Sequence, residues 1–186
     1  MRLLLLAVLT GSLLASSPVL QTVSGGEVRP FQPQGPAGLV FFVCTDCPIS
    51  NGYAPEIQRI CSVYKAKGVS CTLLYEDLDL SPETARKHLA EYGYTGAVAA
   101  IDAKRTAAKH AKAAVTPTAV VVDRQGAIRY RGRIDNFYAA LGKPRQQVTE
   151  HNLTGALDDV LAGRAVPVAE TKALGCYIID PEQIRK

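Results

Sequence analysis

The chain opens on an apolar run, Leu3-Leu4-Leu5-Leu6-Ala7-Val8-Leu9, and then alternates short apolar blocks with segments whose apolar positions recur at helical spacing. Residues 39–43, Leu-Val-Phe-Phe-Val, form a short continuous apolar block, the pattern of a strand buried on both faces. Between Pro48 and Lys67, residues Ile57, Ile60, Cys61 and Tyr64 fall on one helical face, and Gly68 ends the segment. Residues 69–75 predict a second strand. Ser81-Pro82-Glu83 supplies a capping Ser and a first-turn Pro for a helix that Gly93 closes. Residues 97–101 predict a weaker strand, and Asp102 is placed to cap an Ala- and Lys-rich helix ending near Ala114. Residues 118–122 and 127–133 predict two strands joined by the turn Asp123-Arg124-Gln125-Gly126. A last helix is expected over residues 147–161, with Val148, Leu153, Leu157, Val160 and Leu161 inward. The order β-α-β followed by β-β-α predicts one α/β domain, a mixed sheet covered by helices.

Composition narrows the classes without naming one. A chain of 186 residues suits one domain of ordinary size, and 47% hydrophobic with 20% charged residues excludes a disordered tail protein. The net charge of +4 is spread along the chain, which argues for solubility and gives no footing to nucleic acid. Arg2, the apolar run and the small residues beyond it (Ala15, Ser16, Ser17, or Ser24) read as a secretory signal peptide, too short and interrupted for the roughly 20 apolar residues of a membrane span. The expected organisation is a signal peptide over 1–24, a flexible Gly- and Pro-rich lead over 25–37, the α/β domain over 38–163, and a tail over 164–186 that carries Cys176. The expected location is outside the cytoplasm, periplasmic or secreted, with membrane contact only through an uncleaved signal. Five cysteines would there be free to oxidise.

The cysteines carry the candidate chemistry. Cys44-Thr45-Asp46-Cys47 spells CxxC at a strand-to-helix junction, in isolation the mark of a dithiol pair. Pro48 favours the first turn of a helix and so sets Cys47 at or beside its N-cap, where unpaired N–H groups stabilise a thiolate. Asp46 opposes that effect if it points inward. Cys61 lies on the apolar stripe of its helix and Cys71 inside a strand, which reads as two buried small hydrophobes. His88, His110 and His151 have no mutual ligand spacing and read as surface residues.

These residues resemble the thioredoxin-like superfamily, and within it a group of exported bacterial redoxin-domain proteins. The resemblance spans roughly residues 38–178 and rests on Thr45-Asp46-Cys47-Pro48, Tyr53-Ala54-Pro55-Glu56, Thr116-Pro117, Tyr130-Arg131-Gly132-Arg133-Ile134-Asp135 and Gly175-Cys176. It implies a thioredoxin-like fold with a strand–helix insertion, Cys47 as the nucleophile, and Pro55, eight residues on, as the kinking proline. The resolving position three residues after Cys47 is then Ser50, so the partner is Cys176 on the tail or, second, Cys44. Pro117 is implied to be the cis proline that, with Thr116, lays its backbone beside the sulfur and pairs with an incoming extended chain. The buried acid of the family falls at Phe41 here, with Glu76 or Asp77 as substitutes.

Three functions follow from the resemblance. The first is an exported thiol-disulfide oxidoreductase without cofactor, acting on protein or small-molecule thiols and disulfides with an external thiol reductant. The second is a thiol peroxidase in which Cys47 attacks peroxide and condenses with Cys176, with Arg131 and Arg133 as thiolate-stabilising candidates. The third is a copper-binding carrier using Cys44, Cys47 and either His88 or His110.

Overall fold

A computed structural model describes residues 17–184. The apolar run of the expected signal peptide lies outside the described residues. In chain order the elements are β1 (Leu20–Gln21), β2 (Glu27–Val28), β3 (Ala37–Val43), α1 (Pro48–Gly52), α2 (Ala54–Lys65), β4 (Ser70–Tyr75), α3 (Pro82–Glu91), β5 (Val98–Ile101), α4 (Thr106–Ala111), β6 (Val115–Thr116), β7 (Thr118–Asp123), β8 (Ile128–Gly132), β9 (Tyr138–Ala140), β10 (Lys143–Pro144), α5 (Asn152–Leu161), β11 (Cys176–Tyr177) and α6 (Pro181–Ile184).

Five strands form the central sheet in the order β5-β4-β3-β7-β8; β5, β4 and β3 are parallel, and β7 is antiparallel to both of its neighbours, β3 and β8. All seven residues of β3 are buried because the strand is central and covered on both faces. Alternation along the strand divides the core. Leu39, Phe41 and Val43 join Leu73, Val121 and the inner faces of α2 and α5, whereas Val40 and Phe42 join Leu74, Val120 and the alanines of α4. Phe41 is therefore a core residue with no exposed surface.

Several boundaries differ from the sequence expectation for identifiable reasons. The helix expected from Pro48 is two helices, because Tyr53 caps the end of α1 and the start of α2, and Pro55 has no N–H to carry the ladder through. Asp102 does cap α4, but from four to six residues away, accepting the N–H groups of Thr106, Ala107 and Ala108 at 2.8–2.9 Å. Left-handed Arg105 and Lys112 confine that helix to six residues. The last helix starts at Asn152 rather than 147, because the Asn136 side chain accepts from the backbone N–H groups of Thr149 and Glu150 and holds them extended.

The lead expected to be flexible is packed, and so is the tail. In the 25–37 lead Phe31 is wholly buried, its ring 4.4 Å from that of His110. The tail pairs with β8 through Arg131, whose N–H reaches the Ala169 carbonyl at 2.9 Å and whose carbonyl accepts from Thr171 at 3.0 Å. It then forms β11 antiparallel to β6, with Cys176 opposite Thr116 and Tyr177 opposite Val115. Ile178 N–H donates to Ala114, Arg105 donates to the Ile179 carbonyl at 3.0 Å, and Lys109 pairs with Asp180 at 3.0 Å.

Candidate active site

Three segments meet at the end of β3. The β3–α1 turn brings Cys44 and Cys47, the short β6 brings Thr116 and Pro117, and β11 brings Cys176. Cys47 is the N-cap of α1, extended at φ −81° and ψ 110°, and its sulfur accepts from the Ser50 N–H at 3.5 Å. As a thiol it donates to the Thr116 carbonyl at 3.2 Å. The Thr116–Pro117 peptide is cis.

Cys47 has no exposed surface, yet its pKa lies below the ordinary thiol value. Burial pushes it up, and the adjacent Cys176 thiol, the N–H and hydroxyl of Ser50 and the Thr116 side chain more than reverse that effect. The Ser50 and Thr116 hydroxyls are buried and have no hydrogen-bond partner among the described residues, so both are available to a sulfur anion. The other two thiols move the opposite way. Burial and the neighbouring Cys47 push Cys176 up to about 12. Cys44 is raised further by burial, by its hydrogen bond to Asp46 at 3.1 Å and by Asp77. One sulfur of the three is thus electrostatically prepared to ionise.

The turn holding Cys44 and Cys47 is fixed by a chain of hydrogen bonds that reaches into the core. Asp77 accepts from the Thr45 N–H at 2.9 Å and from its hydroxyl, and Asn51 donates to the Thr45 carbonyl at 2.8 Å. The Asn51 side-chain oxygen accepts from His88 Nε2 at 3.0 Å, and His88 Nδ1 accepts from the Tyr75 hydroxyl at 2.9 Å. His88 is therefore a buried neutral imidazole and not a surface residue, and burial lowers its pKa.

Other expected residues lie elsewhere. Cys61 and Cys71 are not independent buried thiols. They form a disulfide, because the inward face of α2 sets Cys61 against β4 with the two Cα atoms 5.7 Å apart, inside the range a disulfide spans. Arg131 reaches Ala111 and Glu170, and Arg133 reaches Asn152 and Glu150, so both guanidinium groups are engaged away from Cys47. The soft-metal set is not assembled. Both ring nitrogens of His88 are used, and His110 packs on Phe31 over the opposite face of the sheet.

Glu76, at the end of β4, faces a groove of about 490 Å³ shared with Cys44, Asp77 and Cys176. Burial and the charge of Asp102 push its carboxyl up to about 10, opposed by Arg105 at 3.5 Å. Its two oxygens have no hydrogen-bond partner among the described residues. Nothing in the local sequence pattern marks Glu76 or His88 as interior, since each is made so by the strand or helix packed over it.

A mixed five-stranded sheet, a helix-capping cysteine and a cis proline facing its sulfur together define a thioredoxin-type architecture. No protein-family model matches the chain, and no curated protein matches it. Among solved structures, an uncharacterized conserved protein from Geobacillus kaustophilus is 30% identical with a TM-score of 0.76, covering 87% of this chain and 88% of that one. A hypothetical protein from Sinorhizobium meliloti 1021 is 26% identical at the same TM-score, covering 88% and 91%. A secreted Mycobacterium tuberculosis disulfide oxidoreductase homologous to DsbE of E. coli shares the fold at 14% identity and TM-score 0.55, covering 79% and 96%. The chain belongs to the family of the Geobacillus protein, within the thioredoxin-like superfamily.

Proposed function

We propose that the protein is an exported thiol-disulfide oxidoreductase in which Cys47 attacks and Cys176 resolves. The observation that carries this reading is the register of β11 on β6, which sets Cys176 opposite Thr116, the residue whose carbonyl accepts from the Cys47 thiol at 3.2 Å. Cys47 thiolate attacks one sulfur of a substrate disulfide, forming a mixed disulfide and expelling the other sulfur as thiolate. Cys176 then loses its proton and attacks the Cys47 sulfur. A Cys47–Cys176 disulfide forms, and the second substrate thiolate leaves. The substrate gains two electrons and the protein loses two. The reverse sequence oxidises a dithiol. The raised pKa of Cys176 delays the resolving step until the mixed disulfide has replaced the negative sulfur beside it. Fold neighbours described as a disulfide oxidoreductase and as a putative thiol:disulfide interchange protein are consistent with this chemistry, and the neighbour described as secreted is consistent with export.

The test is oxidation of the reduced protein by glutathione disulfide followed by peptide mapping without reduction. The expected product is a Cys47–Cys176 link, and in Cys176→Ser a trapped glutathione adduct on Cys47. A Cys44–Cys47 link, or a Cys47 that takes no adduct, overturns the reading.

A further inference from the structure

The backbone edge of β6 beside the cis proline is already occupied. β11 lies on it as an added antiparallel strand, with Cys176 across from Thr116. This is the register in which a partner's cysteine would be delivered to Cys47, which lies beneath with no exposed surface. Resting on the oxidoreductase reading above, we propose that residues 174–178, Leu-Gly-Cys-Tyr-Ile, are a resident peptide ligand of this edge, and that the edge selects partner polypeptides whose cysteine follows a glycine.

The selectivity comes from a close approach of two backbones. A Cβ at position 175 would lie 1.8 Å from the Thr116 carbonyl oxygen, 2.6 Å from its carbon and 3.1 Å from Pro117 N. These are main-chain atoms, and the Cys47 thiol contacts the same Thr116 carbonyl at 3.2 Å. The main-chain atoms cannot yield as a flexible side chain would. A chain in this register therefore needs glycine before its cysteine, or it must sit farther from the sulfur. One residue earlier, Leu174 shares a small cavity with Tyr53, Pro117 and Tyr138 but also with Arg133 and Asp135, so that position sets no apolar requirement. After the cysteine the demand ends, since Tyr177 is 84% exposed. The recognised feature is an extended Gly-Cys segment that enters as β11 leaves.

The test compares two peptides on one protein. Full-length Cys176→Ser is given Leu-Gly-Cys-Tyr-Ile or Leu-Ala-Cys-Tyr-Ile, each carrying thionitrobenzoate in disulfide linkage to its cysteine. Cys47 thiolate attacks the peptide sulfur, the Cys47–peptide disulfide forms, the peptide–thionitrobenzoate bond breaks, and the electron pair leaves with the coloured thionitrobenzoate anion. The glycine peptide is expected to load Cys47 faster by about tenfold or more, the scale of one overpacked contact. A second measurement is made in the same background. Gly175→Ala weakens the resident strand and is expected to speed iodoacetamide labelling of Cys47 by about tenfold, with the Cys61–Cys71 link intact as a check of folding. Equal rates for the two peptides overturn the proposal while leaving Cys47 as the nucleophile. An unchanged labelling rate in Gly175→Ala overturns the resident-ligand role of β11. If neither peptide loads Cys47 and Cys44 takes the adduct instead, the oxidoreductase reading itself has failed.

Discussion

His88 Nε2 donates to the side-chain oxygen of Asn51 across 3.0 Å, linking a buried imidazole on α3 to the helix that begins at Cys47. With Nδ1 accepting from Tyr75, the ring is held neutral, and burial lowers its pKa. Protonation would put the ring's second hydrogen on Nδ1, against a hydroxyl that already donates there. The unfolded chain binds that proton more readily than the folded one. Stability is therefore expected to fall as pH drops below the ordinary histidine value of 6.5. Urea unfolding at a series of pH values reads this directly. His88→Gln should flatten the acid limb and cost about 1–3 kcal/mol at neutral pH, through loss of one or both partners.

The lowered pKa of Cys47 depends on its donors. Thiolate absorbance against pH is expected to show one group ionising below the ordinary thiol range, with Cys176 titrating near 12. Cys176→Ala removes the leading donor and should move the Cys47 midpoint up. Cys176→Ser keeps a hydroxyl in place and should move it less. An unmoved midpoint in Cys176→Ala would assign the lowering to Ser50 and Thr116 alone.

The Cys61–Cys71 disulfide closes a loop with a sequence separation of 10 residues, for which chain entropy gives about 2–3 kcal/mol. Cys61→Ala with Cys71→Ala should lower unfolding free energy by that order. Thiol titration of the unreduced, denatured wild type should find the three free cysteines Cys44, Cys47 and Cys176.

This division of five sulfurs shows how far a sequence alone reaches. The CxxC register, Pro55, Thr116-Pro117 and Gly175-Cys176 are local strings, and local strings locate themselves. The Cys61–Cys71 pair is a contact between a helix stripe and a neighbouring strand. Each residue looked apolar by its own pattern, and only the packing of α2 on β4 supplies the partner. His88 has the same origin, since the residues that enclose it come from Tyr75, Asn51, Tyr92 and Tyr94. Arg131 lies on β8 and Arg133 just past its end, and their binding partners come from α4, the tail and the start of α5, which no spacing reveals.

The amino-terminal boundary is also testable. Leu20 and Val23 are buried, and the Val23 N–H donates to Ala99 on the outer strand at 2.9 Å. Removal of residues through Ser24 would strip both side chains from the sheet edge, at about 2–4 kcal/mol. Processing near Ala15–Ser17 leaves them in place. Intact mass of the processed protein is therefore expected to include Leu20. A chain beginning at Gly25 should melt below one beginning at Ser17.

Residues 44–50, 115–117 and 174–179 are far apart in the order of synthesis. During translation Cys47 exists long before Cys176 does, and the helix that begins at Cys47 can form without β11. Until residues 174–179 are made, a growing chain thus carries the Cys47 sulfur with neither the Cys176 thiol nor β11 beside it. Residues 174–179 complete and cover the centre only after its other parts are made, so a chain truncated before residue 174 is expected to leave the Cys47 sulfur open to any disulfide it meets.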